Sequence, residues 1–152
     1  MDRYYKTEDE IRALVSSFET CSFHPSEFRH YQHLTVALWY MWHHSLAEAT
    51  ARMTSGIRKL AETYGKTGYH ETITLFWLRV VANFAAEHRH EPIPAAANAL
   101  IDSYDDKDFI RQYYSAELLA SSEAKAEWIE PDLKPLPQIA EGVPHPEKAA
   151  TI

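Results

Sequence analysis

One cysteine, four glycines and the absence of any long apolar run exclude more than most features of this sequence. A lone thiol, Cys21, rules out an internal disulfide and leaves no Cys-x-x-Cys pair for a metal. Scarce glycine and few β-branched runs argue against a sheet protein. Glycine-rich phosphate loops are missing, so no nucleotide fold is suggested. No apolar stretch approaches the roughly 20 residues of a membrane helix. The opening MDRYYKTEDE has no signal-peptide core. Lys/Arg stripes are also lacking. With histidine neutral the net charge is −7, which repels phosphate backbones and anionic lipid surfaces alike. The expectation is a soluble, cytoplasmic protein with neither nucleic acid nor membrane as partner.

What is present is apolar mass in helical order. Of 152 residues 45% are hydrophobic, enough to fill one core. Thr7-Glu8-Asp9-Glu10 is a capping box, followed by Ile11, Leu14, Val15 and Phe18 at helical spacing, so a first helix runs from Glu8 to about Thr20. CSFHP is a loop. Ser26 or His24 would cap a second helix reaching about His44. Ser45-Leu46-Ala47-Glu48 is a second capping box opening a third helix, which Gly65 ends. A fourth helix starts near Tyr69 or His70 and stops before Pro92 and Pro94. Shorter helices follow, one of them capped by Asp105 or Asp106.

Short connections make consecutive helices antiparallel. The predicted fold is therefore all-α: an up-down bundle of four main helices plus short C-terminal helices. Residues 1–130 form this domain. From Pro131 onward five prolines predict an extended arm over 131–152, partly docked through Leu133, Leu136 and Ile139.

The nine histidines are sorted by this topology. His30 and His33 open the second helix, and His70 and Glu71 open the fourth, at the same end of the bundle. His43, His44, His88 and His90 fall at the other end, roughly 25 Å away at 1.5 Å per residue. One metal cannot bridge that gap, so the two Glu-x-x-His stretches, Glu27 to His30 and Glu87 to His90, cannot form a di-iron site together. His30, His33, His70 and Glu71 can converge, and as ligands they suit Zn²⁺, Fe²⁺ or Mn²⁺. Residue 74 is threonine, so the His-Glu-x-x-His protease motif is absent. Tyr40, Thr74 and Trp77 would line the adjoining pocket.

Three stretches, HYQHLTVALWY (30–40), GYHETITLFWLRV (68–80) and SSEAKAEWIEPDLKPLP (121–137), together resemble an uncharacterised family of small all-helical bacterial proteins. The resemblance implies one compact domain that takes in the arm through Pro137. It attaches no reaction, cofactor or substrate.

Two readings follow. One is a small metal-dependent enzyme acting on a small molecule, with His30, His33 and His70 as ligands. Glu71 would then be a fourth ligand or the general base, and without a metal His70 and Glu71 could work as an acid/base pair. The alternative is a non-catalytic small-molecule-binding or dimerising helical protein, without metal, in which these histidines satisfy polar bonds in a pocket wall. A homodimer is suggested because the second helix is apolar on nearly every side.

Overall fold

The computed structural model describes residues 4–137, and within them every regular element is helical. α1 spans Glu8–Glu19, α2 His30–His43, α3 Leu46–Thr63, α4 Glu71–His88 and α5 Ile93–Tyr104. Two short helices follow, α6 (Ala116–Ala120) and α7 (Ser122–Ala126). Single 3₁₀ segments cover Pro25–Glu27 and Lys107–Gln112.

Local chemistry sets most boundaries. Thr7 Oγ1 accepts from the Glu10 N–H while the Glu10 carboxylate accepts from the Thr7 N–H, closing the expected box. Ser45 caps α3 by accepting from the Glu48 N–H. Glu48 does not complete a box there: its carboxylate pairs with Arg52 at 2.9 Å. Gly65, at φ +67°, takes the left-handed position that ends α3.

The start of α2 differs from expectation. His24 caps only the 3₁₀ segment, where its Nδ1 accepts from the Ser26 N–H. The chain then extends through Phe28 and Arg29, and α2 begins at His30. The physical reason is Phe28. Its ring is buried and stacks on Phe18 and Phe23 at 5.1 and 5.0 Å, and a helix continued through it could not also deliver α2 to the core. His30 and His33 therefore occupy the first helical turn.

α2 lies at the centre. α1, α3, α4 and α5 all pack on it, α5 as closely as α4. Leu34 and Val36 point about 200° apart around a helix, and both are fully enclosed. Most of the apolar perimeter that suggested a dimer is thus covered from within the chain, while Trp39 and Trp42 stay partly exposed. Among the described residues the exposed large apolar side chains are Tyr4, Tyr64 and Leu133, on three separate segments.

A second cluster sits on the outer side of α4, where Phe76 meets Ile110, Tyr113 and Tyr114. Thr72 fastens the C-terminal segment over it. Its hydroxyl donates to the Glu127 carbonyl at 2.8 Å and accepts from the Ile129 N–H at 3.2 Å. Tyr114 donates to the Ile129 carbonyl, and Leu136 packs against the cluster. Leu133 does not dock as expected. Its N–H donates to Tyr113, but its side chain is 56% exposed. Ile139 lies outside the described residues.

One contact decides how closely α3 approaches α1. A Cβ built on Gly56 would lie 2.4 Å from two carbons of the buried Phe18 ring. Alanine in a helix interior is ordinarily worth about 1 kcal/mol over glycine. Here the overlap should win, because Phe18 is held on Phe28 and cannot retreat. Gly56→Ala is expected to destabilise by about 1–3 kcal/mol in urea denaturation. A stabilised protein would show that the ring has room.

Candidate functional site

The starts of α2 and α4 open onto one cleft of about 1340 Å³. His30 and His33 line it from α2, and His70, Thr74 and Trp77 from α4. Met53 and Ile57 of α3 supply part of its apolar wall. Asp105, Asp106, Lys107 and Asp108, before and within the second 3₁₀ segment, reach it from a fourth side. Five of the seven residues expected at a site therefore share this space. Glu71 and Tyr40 do not line it.

The histidines are not equivalent. His30 Nε2 lies 3.1 Å from the Tyr104 carbonyl, and His33 Nε2 lies 3.1 Å from the Phe28 carbonyl. A carbonyl only accepts, so in each ring Nε2 carries the hydrogen and donates. In the neutral ring that leaves Nδ1 as the lone-pair nitrogen. Neither Nδ1 has a hydrogen-bond partner among the described residues, and no buried side-chain nitrogen or oxygen there lacks one. Both Nδ1 atoms are consequently in contact with solvent, and both residues line the cleft.

Their surroundings keep these rings neutral. His33 lies against Phe28 at 3.9 Å, and burial, with the nearby His30 adding repulsion, pushes its pKa down to about 4. His30 meets the edge of Trp77 at 4.4 Å, and burial also lowers its pKa, against the opposing pull of the Tyr104 carbonyl and of Asp105 and Asp106.

His70 has no nitrogen to spare. Its Nδ1 accepts from the Ile73 N–H at 3.1 Å, capping α4, and its Nε2 donates to the Leu119 carbonyl at 2.7 Å. A metal or a transferred proton would have to displace one of these bonds. Glu71 turns away from the cleft. Its Oε1 accepts from the Tyr69 hydroxyl at 2.5 Å and faces Arg58 at 3.5 Å. The Arg58 guanidinium in turn lies over the Tyr69 ring. Burial and the Glu71 carboxylate push the Tyr69 hydroxyl up to about 12. Thr74 donates to the His70 carbonyl. Tyr40 is a core residue, 2% exposed, whose hydroxyl donates to Glu19 at 2.7 Å.

The expected ligand set of His30, His33, His70 and Glu71 is therefore not assembled. Among the described residues no group of three or more histidine, cysteine, aspartate or glutamate side chains is arranged to hold a metal ion. Nor does His70 share a hydrogen bond with Glu71, so the acid/base pair is not formed either. Cys21 is packed into the main core and does not line the cleft.

Sequence reasoning missed the Tyr104 and Phe28 carbonyls, which orient the two open histidines. Backbone acceptors carry no residue signal. It also missed the 105–108 wall, which depends on how the chain returns after α5.

Family models, curated proteins and solved structures were each compared with this chain, and none matches it.

The depressed His33 pKa has a consequence for stability. Between pH 6.5 and about 4 the unfolded chain protonates this ring while the folded chain resists. Folding stability is then intact above pH 6.5 and lost as pH falls toward 4. The loss attributable to His33 is at most about 3 kcal/mol at 1.36 kcal/mol per pKa unit. His33→Gln should flatten the stability profile across that window, as read by urea denaturation at a series of pH values. An unchanged slope would place the proton elsewhere.

Proposed function

We propose that this protein binds a small molecule in the cleft between the starts of α2 and α4, with His30 and His33 as the groups that meet it. The observation that carries this reading is the state of those two rings. Each is fixed through Nε2 by a backbone carbonyl, each is kept neutral, and each leaves a solvent-accessible Nδ1 on a residue that lines the same cleft. Aromatic and aliphatic walls around a few oriented polar groups are the usual composition of a ligand pocket.

The reading takes the first four helices to alternate in direction, which sets the starts of α2 and α4 at one end. It is a reading of binding. Neither Nδ1 is hydrogen-bonded to a hydroxyl or thiol among the described residues, so neither ring activates a nucleophile in the cleft. It gives Trp77 the role of an aromatic wall and His70 the role of a brace.

Gly68 provides the test. It lines the cleft, and a Cβ there would meet nothing within 4 Å, so a large side chain can fill the opening without disturbing the fold. Untagged protein, heat-denatured and analysed by mass spectrometry, is expected to release a small molecule that Gly68→Trp protein lacks. Equal release from both would place the ligand outside the cleft. EDTA is expected to leave the melting temperature unchanged. A drop of several degrees would bring a structural metal back into consideration.

A further inference from the structure

The cleft's charges and hydrogen-bonding groups narrow what it can hold, given the binding role just proposed. The polar side chains at its mouth balance. Asp105, Asp106 and Asp108 stand against Arg29, Lys107 and Arg111, with Arg111 3.6 Å from Asp108. Selection by charge therefore falls to the inner wall.

That wall disfavours both signs. A carboxylate would set its lone pairs against those of His30 Nδ1 and His33 Nδ1, and protonating either ring to receive it works against the burial of both. An ammonium would find acceptors there but would sit at the first turns of α2 and α4. Both helices begin at the cleft, and a helix start carries about +0.5 of an elementary charge. Neutral donors remain.

Among neutral donors the surroundings favour one class. Trp77 meets His30 at 4.4 Å and, only half-buried in the cleft wall, offers ring surface to another ring. A phenolic O–H is a stronger donor than an aliphatic one and carries no charge at neutral pH. The partial negative charge it leaves on oxygen suits the two helix starts. The cleft volume far exceeds one ring, and Leu34, Ile73, Leu78 and Val81 line the rest.

We propose that the ligand is a phenol: an aromatic ring whose hydroxyl donates to Nδ1 of His30 or His33, carried on a larger apolar body that lies along α4.

Four probes with one body and different heads test this: 4-butylphenol, 4-butylanisole, 4-butylbenzoate and 4-butylbenzylamine, titrated calorimetrically at pH 7.5. The phenol is expected to bind at least fivefold tighter than each of the others. His33→Leu and His30→Leu each remove the imidazole lone pair and put no other acceptor in its place. At least one of them should bring the phenol down to the anisole. Circular dichroism on each variant checks that it is folded, and the His30 variant serves if the His33 variant is not. Benzoate or benzylamine binding as tightly as the phenol overturns the proposal, as does equal binding of phenol and anisole, or no binding by any probe. If another head wins and Gly68→Trp abolishes its binding, the cleft stands as the site and only the phenol class fails. If no probe binds and Gly68→Trp also leaves the co-purifying molecule unchanged, both readings fail together.

Discussion

Burying α2 between α1, α3, α4 and α5 determines where everything else can go. A helix with Leu34 and Val36 on opposite sides and both enclosed leaves little of itself to water, chiefly Trp39, Trp42 and His43 toward its end. Four neighbours must close around it, and their lengths cannot all match. At its start the enclosure is incomplete. The chain arrives extended through Phe28 and Arg29, α4 begins opposite, and the segment after α5 crosses nearby. The cleft is what remains where these three starts and returns fail to fill space. Its position is a by-product of packing a central helix, and the first turn of that helix is where polar side chains can reach the gap.

The histidines show how one residue type takes different work from its two nitrogens. His70 uses both, one to cap α4 and one to hold the Leu119 carbonyl, and so ties the main core to the second cluster. His24 caps a 3₁₀ turn. His88 pairs with Glu91 across one turn at 2.5 Å. His30 and His33, like His24 and His88, each use one ring nitrogen. Nothing in the residue type separates these cases. What separates His30 and His33 is their place, on the wall of the cleft with Nε2 turned to a backbone carbonyl.

Much of the fold could be read from the sequence because it rests on local rules. The Thr7 box, the Ser45 cap, the Gly65 stop and the helical class all follow from residues within a few positions of one another. The clustering of His30, His33, His70, Thr74 and Trp77 was legible too, since short loops and a 1.5 Å rise suffice to put two helix starts together. The details that decide chemistry were not. Glu71 is one residue past the cap and sits between Arg58 and Tyr69, a contact across 13 positions. Tyr40 shares a helix face with His33 in projection, yet α1 reaches it first through Glu19. A helical wheel gives direction but not the neighbour found there.

The placement of neutral histidines at a helix start is itself physically selective. A lysine in the first turn of α2 would be repelled by the positive helix end, and an aspartate there would be ionised and drawn to the backbone N–H groups. Either would present a charge to the cleft. Imidazole can be buried, donate to a backbone carbonyl through one nitrogen and still offer an uncharged acceptor through the other near neutral pH. The helix end adds to burial in keeping the proton off, so the two effects that would weaken a metal-free base are the ones that make a stable acceptor. Under the binding role proposed above, His33, with a pKa near 4, would serve as an uncharged acceptor in the cleft wall rather than as a base, and burial holds the proton off His30 in the same direction.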